Sequence, residues 1–320
     1  MSIFYPIEKL ADIILTFFGV SPEGPWYESL HFFIYDSVKI GLLLAVIIFV
    51  VSFIRSYLPP EKVKRLLTNR FPVVGNILAG LIGIVTPFCS CSAVPLFIGF
   101  LESGVPLGVT FSYLISAPMI NEIAVVMLFG MFGWKVALLY VASGLVLAIV
   151  AGVILGKMKL EKWVEDYVWE LARAEDEEIY IPTVRERFSE AYEYTNALVK
   201  KVYPYVLIGV GLGAFIHGYV PAEFIAKFAG AGNPLAVVLV VLIGIPLYSN
   251  AAGTIPIVRS LVEKGLPMGT ALAFMMSVTA LSLPEMIILR NVLKPKLLAL
   301  YFGIVGLGII FTGYLFNIVL

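Results

Sequence analysis

Polar and apolar positions in this chain are not interleaved; they are segregated into long blocks. Charge-free runs extend over 40–54, 71–101, 136–156, 202–222, 228–258, 265–284 and 297–320, and 103–134 is broken only by Glu122. Most of these runs hold the ~20 apolar residues that a helix needs to cross a hydrocarbon core about 30 Å thick. A membrane barrel needs alternating segments of about ten residues, which do not occur here, so the pattern predicts helices that satisfy their own backbone groups. The predicted fold class is an all-α polytopic membrane protein. The start of the chain differs. Glu8, Lys9 and Asp12 punctuate an apolar pattern with no basic leader, which predicts an amphipathic interfacial helix over 7–18 and no cleaved signal.

The blocks recur at an offset of 161 residues. Glu102, Gly104, Pro106 and Gly108 fall on Glu263, Gly265, Pro267 and Gly269, and Leu81-Ile82-Gly83-Ile84 falls on Leu242-Ile243-Gly244-Ile245. Pro95 likewise falls on Pro256, Lys135 on Lys296 and Tyr140 on Tyr301. Two related halves are therefore expected, as in many secondary transporters. The predicted organisation is an amphipathic segment over 1–33, a first transmembrane repeat over 34–157, a polar linker over 158–198 and a second repeat over 199–320.

The runs 71–101 and 228–258 are each 31 residues, or about 46 Å of helix at 1.5 Å per residue, longer than the core. Each is expected to be a broken or a re-entrant helix. If they turn back, each half crosses three times and the repeats are inverted. Segments 55–70, 157–201 and 290–296 then share one side with 16 of the 22 basic residues. The positive-inside rule favours that inverted arrangement, with a cytoplasmic linker and a multi-pass location in the cytoplasmic membrane. The stretch 157–201 carries 11 acidic and 8 basic residues, including Glu175-Asp176-Glu177-Glu178, and is read as a solvated connecting helix and loop.

Composition removes other classes. With 60% hydrophobic and 14% charged residues the chain is no ordinary water-soluble globule. Its 22 Lys plus Arg balance 22 Asp plus Glu, so no basic field points to nucleic acid. Neither an enzyme nor a resident cofactor is expected.

The candidate chemistry sits in the breaks. In Thr86-Pro87-Phe88-Cys89-Ser90-Cys91-Ser92-Ala93-Val94-Pro95, Pro87 disfavours helix at Thr86 and Pro95 can open a half-helix, which predicts unwound backbone between them. Irregular backbone at membrane depth survives where it lines a cavity or is buried in protein. The matching interruption is Pro246-Leu247-Tyr248-Ser249-Asn250-Ala251-Ala252-Gly253-Thr254. Paired interruptions point to a transporter's binding site, here Cys89, Ser90, Cys91 and Ser92 with Ser249 and Asn250, and with Thr86, Tyr248 and Thr254 around them. Half-helix N-termini after Ala93 and Thr254 would favour an anionic group. Cys89 and Cys91 are the only cysteines. As thiolates they suit a soft metal ion or metalloid, with any further ligand being oxygen or nitrogen. They could also cycle as a disulfide, or pack as two small apolar residues.

A further feature is Ser116-Ala117-Pro118-Met119-Ile120-Asn121-Glu122, in the middle of a span. An ionisable group at depth lines a pathway or carries a proton by default, so Asn121 and Glu122 are expected to face the solute and Glu122 to couple transport to protons. In the second half the acid is shifted to Glu285, a further candidate to face the solute, with Arg290 a little over one turn away and able to pair with it. Glu102 and Glu263 are expected to tie each broken segment to the next helix.

Thr-Pro-Phe-Cys-Ser-Cys-Ser at 86–92, Pro95, Gly104-Val-Pro-Leu-Gly108 and Ser116-Ala-Pro-Met-Ile-Asn-Glu122 together resemble the predicted permeases related to the ArsP-type organoarsenical efflux permeases. The resemblance covers most of the chain from about residue 34. It implies export of trivalent organoarsenicals with cysteine involvement, which maps here onto Cys89 and Cys91, and association with small thioredoxin-like proteins. The expected function is a permease moving a small soft or thiol-reactive solute. The alternative is a membrane redox protein cycling a Cys89/Cys91 disulfide with a thioredoxin-like partner. The expected partners are the lipid bilayer and a small-molecule or metalloid solute, and an oligomer is allowed.

Overall fold

The computed structural model describes residues 5–17, 19–20, 26–55, 67, 72–85, 90–166, 168–169, 183–217, 233–247 and 251–320. These form thirteen α-helices, a single 3-10 turn and no extended strand. In chain order they are α1 (Tyr5–Phe17), α2 (Tyr27–Arg55), α3 (Pro72–Val85), α4 (Ser90–Glu102), α5 (Leu107–Met119), α6 (Glu122–Phe132), α7 (Trp134–Lys157), α8 (Val184–His217), α9 (Ala236–Gly244), α10 (Ala251–Glu263), α11 (Met268–Ala280), α12 (Leu283–Leu289) and α13 (Pro295–Val319). Among the described residues three helical segments are long and apolar enough to cross a membrane: Trp134–Lys157, Met268–Leu289 and Pro295–Val319. A fourth is the bent pair Leu107–Met119 and Ala124–Phe132, whose axes differ by 48°. The chain is thus an all-helical membrane protein.

The chain divides into two compact units, one made of 1–56 and 182–221 and the other of 57–181 and 222–320. In the first, α1 packs on α2, and α2 packs along α8. The Asp12 carboxylate of α1 accepts a hydrogen bond from the Tyr27 hydroxyl at 2.8 Å and pairs with His31 at 3.2 Å. Those contacts orient α1, which buries Ala11 and Leu15 while Ile13 and Phe17 stay exposed. The polar stretch after 183 is continuous helix with the apolar run that follows it, so α8 joins the end of the linker to the next span. The α2/α8 pair is antiparallel. Phe49 near the end of α2 meets Phe188 near the start of α8, with ring centroids 4.9 Å apart, while Phe33 lies beside Gly211.

The second unit holds the remaining helices. Its close contacts depend on small residues. A Cβ at Gly108 of α5 would lie 2.5 Å from the Gly152 carbonyl oxygen and 2.7 Å from the Gly156 Cα of α7, so the two backbones touch through a Gly-x-x-x-Gly face. Within lipid, where apolar side chains gain little by leaving one another's company, such close backbone approach is what holds helices together. Gly313 of α13 meets α11 in the same way, with its would-be Cβ 2.7 Å from Ala273 Cβ. The turn after α4 takes Gly104 at φ 74 and the turn after α10 takes Gly265 at φ 92. Both close with the same pair of bonds, Gly104 N–H to Leu101 C=O and Val105 N–H to Phe100 C=O at 2.9 Å in one, and Gly265 N–H to Val262 C=O and Leu266 N–H to Leu261 C=O in the other. A left-handed residue is needed there, and glycine adopts it without a Cβ penalty.

Beyond Lys157 the chain turns and is stitched to the loop before α13. The Glu165 N–H donates to Val292 C=O at 2.9 Å and the Lys294 N–H to Trp163 C=O at 2.8 Å. Only five residues separate the end of α7 from Trp163, whereas α7 itself is 24 residues, or about 36 Å, long. The C-terminal end of α7 and the N-terminal end of α13 therefore share one side. At mid-length Leu147 packs against Gly308, so the two helices run antiparallel.

Candidate functional site

Two interruptions meet inside the second unit. The first is Ile120-Asn121, between α5 and α6. Asn121 adopts an extended backbone (φ −94, ψ 151), and its side-chain oxygen accepts the Ala124 N–H at 2.9 Å, which opens α6 as a new helix. The span expected to run through 103–134 is therefore broken at its middle. An Asn before an acidic residue and an apolar run is an N-cap signature, and that local chemistry overrides continuous hydrophobicity. The second interruption is Leu281-Ser282, between α11 and α12, where Ser282 is extended (φ −63, ψ 150) and Pro284 follows within the first turn.

Tyr140 of α7 reaches the first of them. Its buried hydroxyl donates to the Met119 carbonyl at 2.8 Å, and the Thr279 side chain, whose own hydroxyl donates to the Met275 carbonyl at 2.9 Å, lies nearby. Met119 ends α5 and Thr279 stands in the last turn of α11, so the phenol is bonded to the first break and lies close to the second. Polar residues of the same helices are buried: Thr110, Ser112, Ser116, Thr270 and Ser277 along α5 and α11, while Thr254 and Glu285 expose only 1%. Tyr301 of α13 is also fully buried, with its ring stacked on Phe111 of α5 at 5.6 Å between centroids. Tyr140 and Tyr301 fall on one another at the 161-residue offset, each a phenol inside a charge-free span.

The sequence candidates fare differently. Thr86, Cys89, Tyr248, Ser249 and Asn250 lie outside the described residues. Ser90, Cys91 and Ser92 form the first turn of α4. Thr254 lies in the first turn of α10. Backbone expected to be unwound up to Pro95 is helical from Ser90, and the second half-helix opens at Ala251 instead of after Thr254. The reason is local. The first four N–H groups of any helix lack intrahelical acceptors, so a proline at the sixth position removes a single bond. In α4 that is the bond to the Cys91 carbonyl, and in α10 Pro256 does the same to Ala252.

Asn121 and Glu122 are brought beside the Tyr140 junction, and Glu122 is exposed in the first turn of α6. Its charge suits that position at the positive end of the helix. Arg290 does not neutralise Glu285. It extends outward and pairs with Glu165 of the linker at 2.8 Å, half exposed, while Lys294 pairs with Asp166 at 3.2 Å. The reach of α12 decides this, since Arg290 stands at its exposed end and Glu285 in its buried first turn. Glu263 pairs with Arg259 one turn earlier at 2.8 Å, on its own helix. Among the described residues no three His, Cys, Asp or Glu side chains converge on a metal-sized site.

With this geometry in place, comparison with known proteins adds the following. Residues 26–318 match the ArsP-type family described as predicted permeases. A UPF0718 protein of Methanocaldococcus jannaschii is 23% identical over 314 residues, covering 81% of this chain and 86% of that protein. The putative two-component membrane permease complex subunit of Streptococcus mutans is 24% identical over 275 residues, covering 81% of this chain and 85% of its own. The UPF0718 protein YraQ of Escherichia coli is 25% identical over 299 residues, covering 91% and 81%. No solved structure matches the chain.

Proposed function

Since this chain belongs to the ArsP-type predicted permease family, we propose that it is a secondary-transporter-type permease of the cytoplasmic membrane, moving a small, soft or thiol-reactive solute through a site between two interrupted helix pairs. The observation that carries the reading is the Tyr140 junction, where one side chain from α7 bonds the α5/α6 break and α5 packs on α11. Interrupted helices meeting near the middle of a bundle are where transporters place their substrate.

The helix bounds support a duplicated architecture. Adding 161 to α4 (90–102) and to α5 (107–119) gives the bounds of α10 and α11, and α7 shifted in this way begins at 295 with α13. The antiparallel α2/α8 and α7/α13 pairs, with Leu147 against its own counterpart Gly308, favour inversion of one half relative to the other. Contacts also cross over reciprocally, α4 with α12 and α10 with α6, as a two-fold relation requires.

In this reading Cys89 and Cys91 hold the solute as thiolates, as the family resemblance implies for trivalent organoarsenicals. Ser90, Ser92, Ser249 and Asn250 supply polar contacts from the two breaks, and Asn121 with Glu122 lines the path. The exposure of Glu122 fits that role, because a carboxylate at depth must face water or a polar solute and not lipid. The name of the Streptococcus mutans relative extends the proposal to a second membrane subunit that would copurify with this chain.

The test is accumulation of phenylarsenous acid in everted vesicles, comparing the native chain with Cys89→Ser and Cys91→Ser at matched expression. Uptake lost in both variants establishes a soft-solute exporter working through the thiol pair. Absent uptake by the native chain removes the arsenical reading, and uptake unchanged in both variants removes the cysteine site.

A further inference from the structure

A cavity of about 450 Å³ opens between the starts of α3 and α5 and the last turns of α7, at the linker end of the second unit. Ligand pockets begin at this size. Its body is apolar, with Leu67, Val73, Leu107 and Val153 among the walls, while Lys157 and Glu161 stand exposed at its mouth. Those two charges are four residues apart, yet among the described residues neither side chain makes an ion pair or a hydrogen bond. Trp163 follows Glu161 by two residues and Trp134 opens the other end of α7. Tryptophans at both ends of a span mark the membrane surfaces, so the mouth lies at the level of the lipid head groups.

The first turn of α5 meets this cavity uncapped. The Leu107, Gly108 and Val109 N–H groups have no acceptor among the described residues, and the side chain before them, Pro106, caps nothing. Val109 is only 5% exposed, and a buried N–H calls for an acceptor.

The matching place in the other half shows what an acceptor does there. At the 161-residue offset Gly108, Val109 and Gly156 fall on Gly269, Thr270 and Asn317. Asn317 of α13 reaches the start of α11, where its side-chain oxygen accepts the Thr270 N–H at 3.1 Å and its amide donates to the Thr270 hydroxyl at 3.0 Å. Gly156 has no side chain to offer Val109, although a Cβ there would point to the same spot, 3.5 Å from the Gly108 nitrogen. The floor differs too. Val237 and Ala273 of the second half stand where the first has Asn76 and Ser112, and the Ser112 hydroxyl lies 3.1 Å from the Asn76 side-chain oxygen and 3.0 Å from the Ala148 carbonyl.

We propose that this cavity binds phosphatidylethanolamine, a phospholipid with a zwitterionic amine head group. Its phosphate oxygens accept the N–H groups that open α5 and pair with Lys157, its ammonium pairs with Glu161, and an acyl chain enters the apolar body. An uncapped helix start beside a lysine attracts phosphate. A free phosphate ion would leave the apolar walls uncovered, a lipid with an anionic head group would set its charge near Glu161 without an ammonium between them, and a choline head group has no N–H to donate to Glu161. The lipid would act on the same helix that ends at the Met119–Asn121 break, capping it at its other end. The inference requires a bilayer around the chain and is independent of which solute the chain moves.

For the test, the full chain in detergent is titrated with palmitoyl-oleoyl phosphatidylethanolamine, phosphatidylglycerol or phosphatidylcholine, or with inorganic phosphate. Bound lipid is counted by native mass spectrometry, and the melting temperature is followed alongside. The expected result is one phosphatidylethanolamine per chain, held about tenfold more tightly than the other two lipids, with a melting temperature raised by that lipid and not by phosphate. Gly156→Asn, which supplies from α7 the cap that Asn317 supplies from α13, should lose the lipid. Lys157→Gln should weaken it about tenfold, and Glu161→Gln should bring it level with phosphatidylglycerol. Equal retention of the three lipids, or native binding of phosphatidylethanolamine by Gly156→Asn, overturns the proposal. So does a melting temperature raised as much by inorganic phosphate, which would make this a site for a free anion. Lys157 and Glu161 are exposed, so their variants decide the question even where Gly156→Asn does not fold: unchanged lipid binding in both rejects the site.

Discussion

At the residue scale, the informative side chains are those whose polar atoms have a definite task inside an apolar matrix. Asn121 is the clearest case, because its oxygen accepts the Ala124 N–H and so converts one span into two helices at 48°. Replacing it with alanine should cost about 1 kcal/mol, the usual loss for an N-cap, and Asn121→Asp should restore most of it. Thermal unfolding of the three proteins in one detergent checks this, and equal stability for the alanine variant would deny the cap its part in the break. The asparagine was legible in the sequence as an unusual polar residue at depth. Its capping geometry was not, because the same residue would serve equally well facing a solute. Arg290 shows the opposite limit: spacing alone paired it with Glu285, but the exposed end of α12 offered Glu165.

At the element scale, helices are held by backbone proximity more than by side-chain volume. Gly108 on α5 faces Gly152 and Gly156 on α7, and any side chain there must push the helices apart. Gly108→Val should therefore destabilise by about 1–3 kcal/mol, as overpacking does elsewhere. Gly303 of α13 has nothing within 4 Å of its would-be Cβ, so Gly303→Ala should be neutral or raise the melting temperature. Similar losses for both variants would mean that α5 and α7 do not meet through this face. The repeated Gly-x-Pro-x-Gly that contains Gly108 could be read from sequence as a recurring turn and helix start. Which helix the glycine faces depends on contacts between residues about 45 apart, and no local pattern encodes them.

At the scale of the whole molecule, the arrangement makes a topological claim that can be measured. If one half is inverted relative to the other, the end of α7 at Lys157 and the start of α13 at Lys296 lie on the same side of the membrane. Single cysteines placed at Lys157 and at Lys296, in a chain carrying Cys89→Ser and Cys91→Ser, should then react alike with a membrane-impermeant maleimide in intact cells and in everted vesicles. A cysteine at Lys135 should show the opposite pattern. Labelling of 157 and 296 from opposite sides would return the parallel arrangement, with four crossings in each half. The bonds joining Trp163 to Lys294 and Glu165 to Val292 are the basis for expecting the first result. Basic-residue counts lean the same way, because inversion places 16 of 22 Lys and Arg on the linker side.

The sequence by itself determined the class of solvent, the helical secondary structure and the offset at which helix bounds recur. Those properties follow from hydrophobic run length and from turn residues a few positions apart, which act locally whatever the rest of the chain does. Tertiary structure alone decided that Tyr140 bonds the break at 120–121 from another helix, that Arg290 turns outward, and that Glu285 is sealed while Glu122 is open. Each of these depends on residues far apart in the chain meeting within a few ångströms, and burial and hydrogen bonding at that range are properties of the packed helices and not of any segment alone.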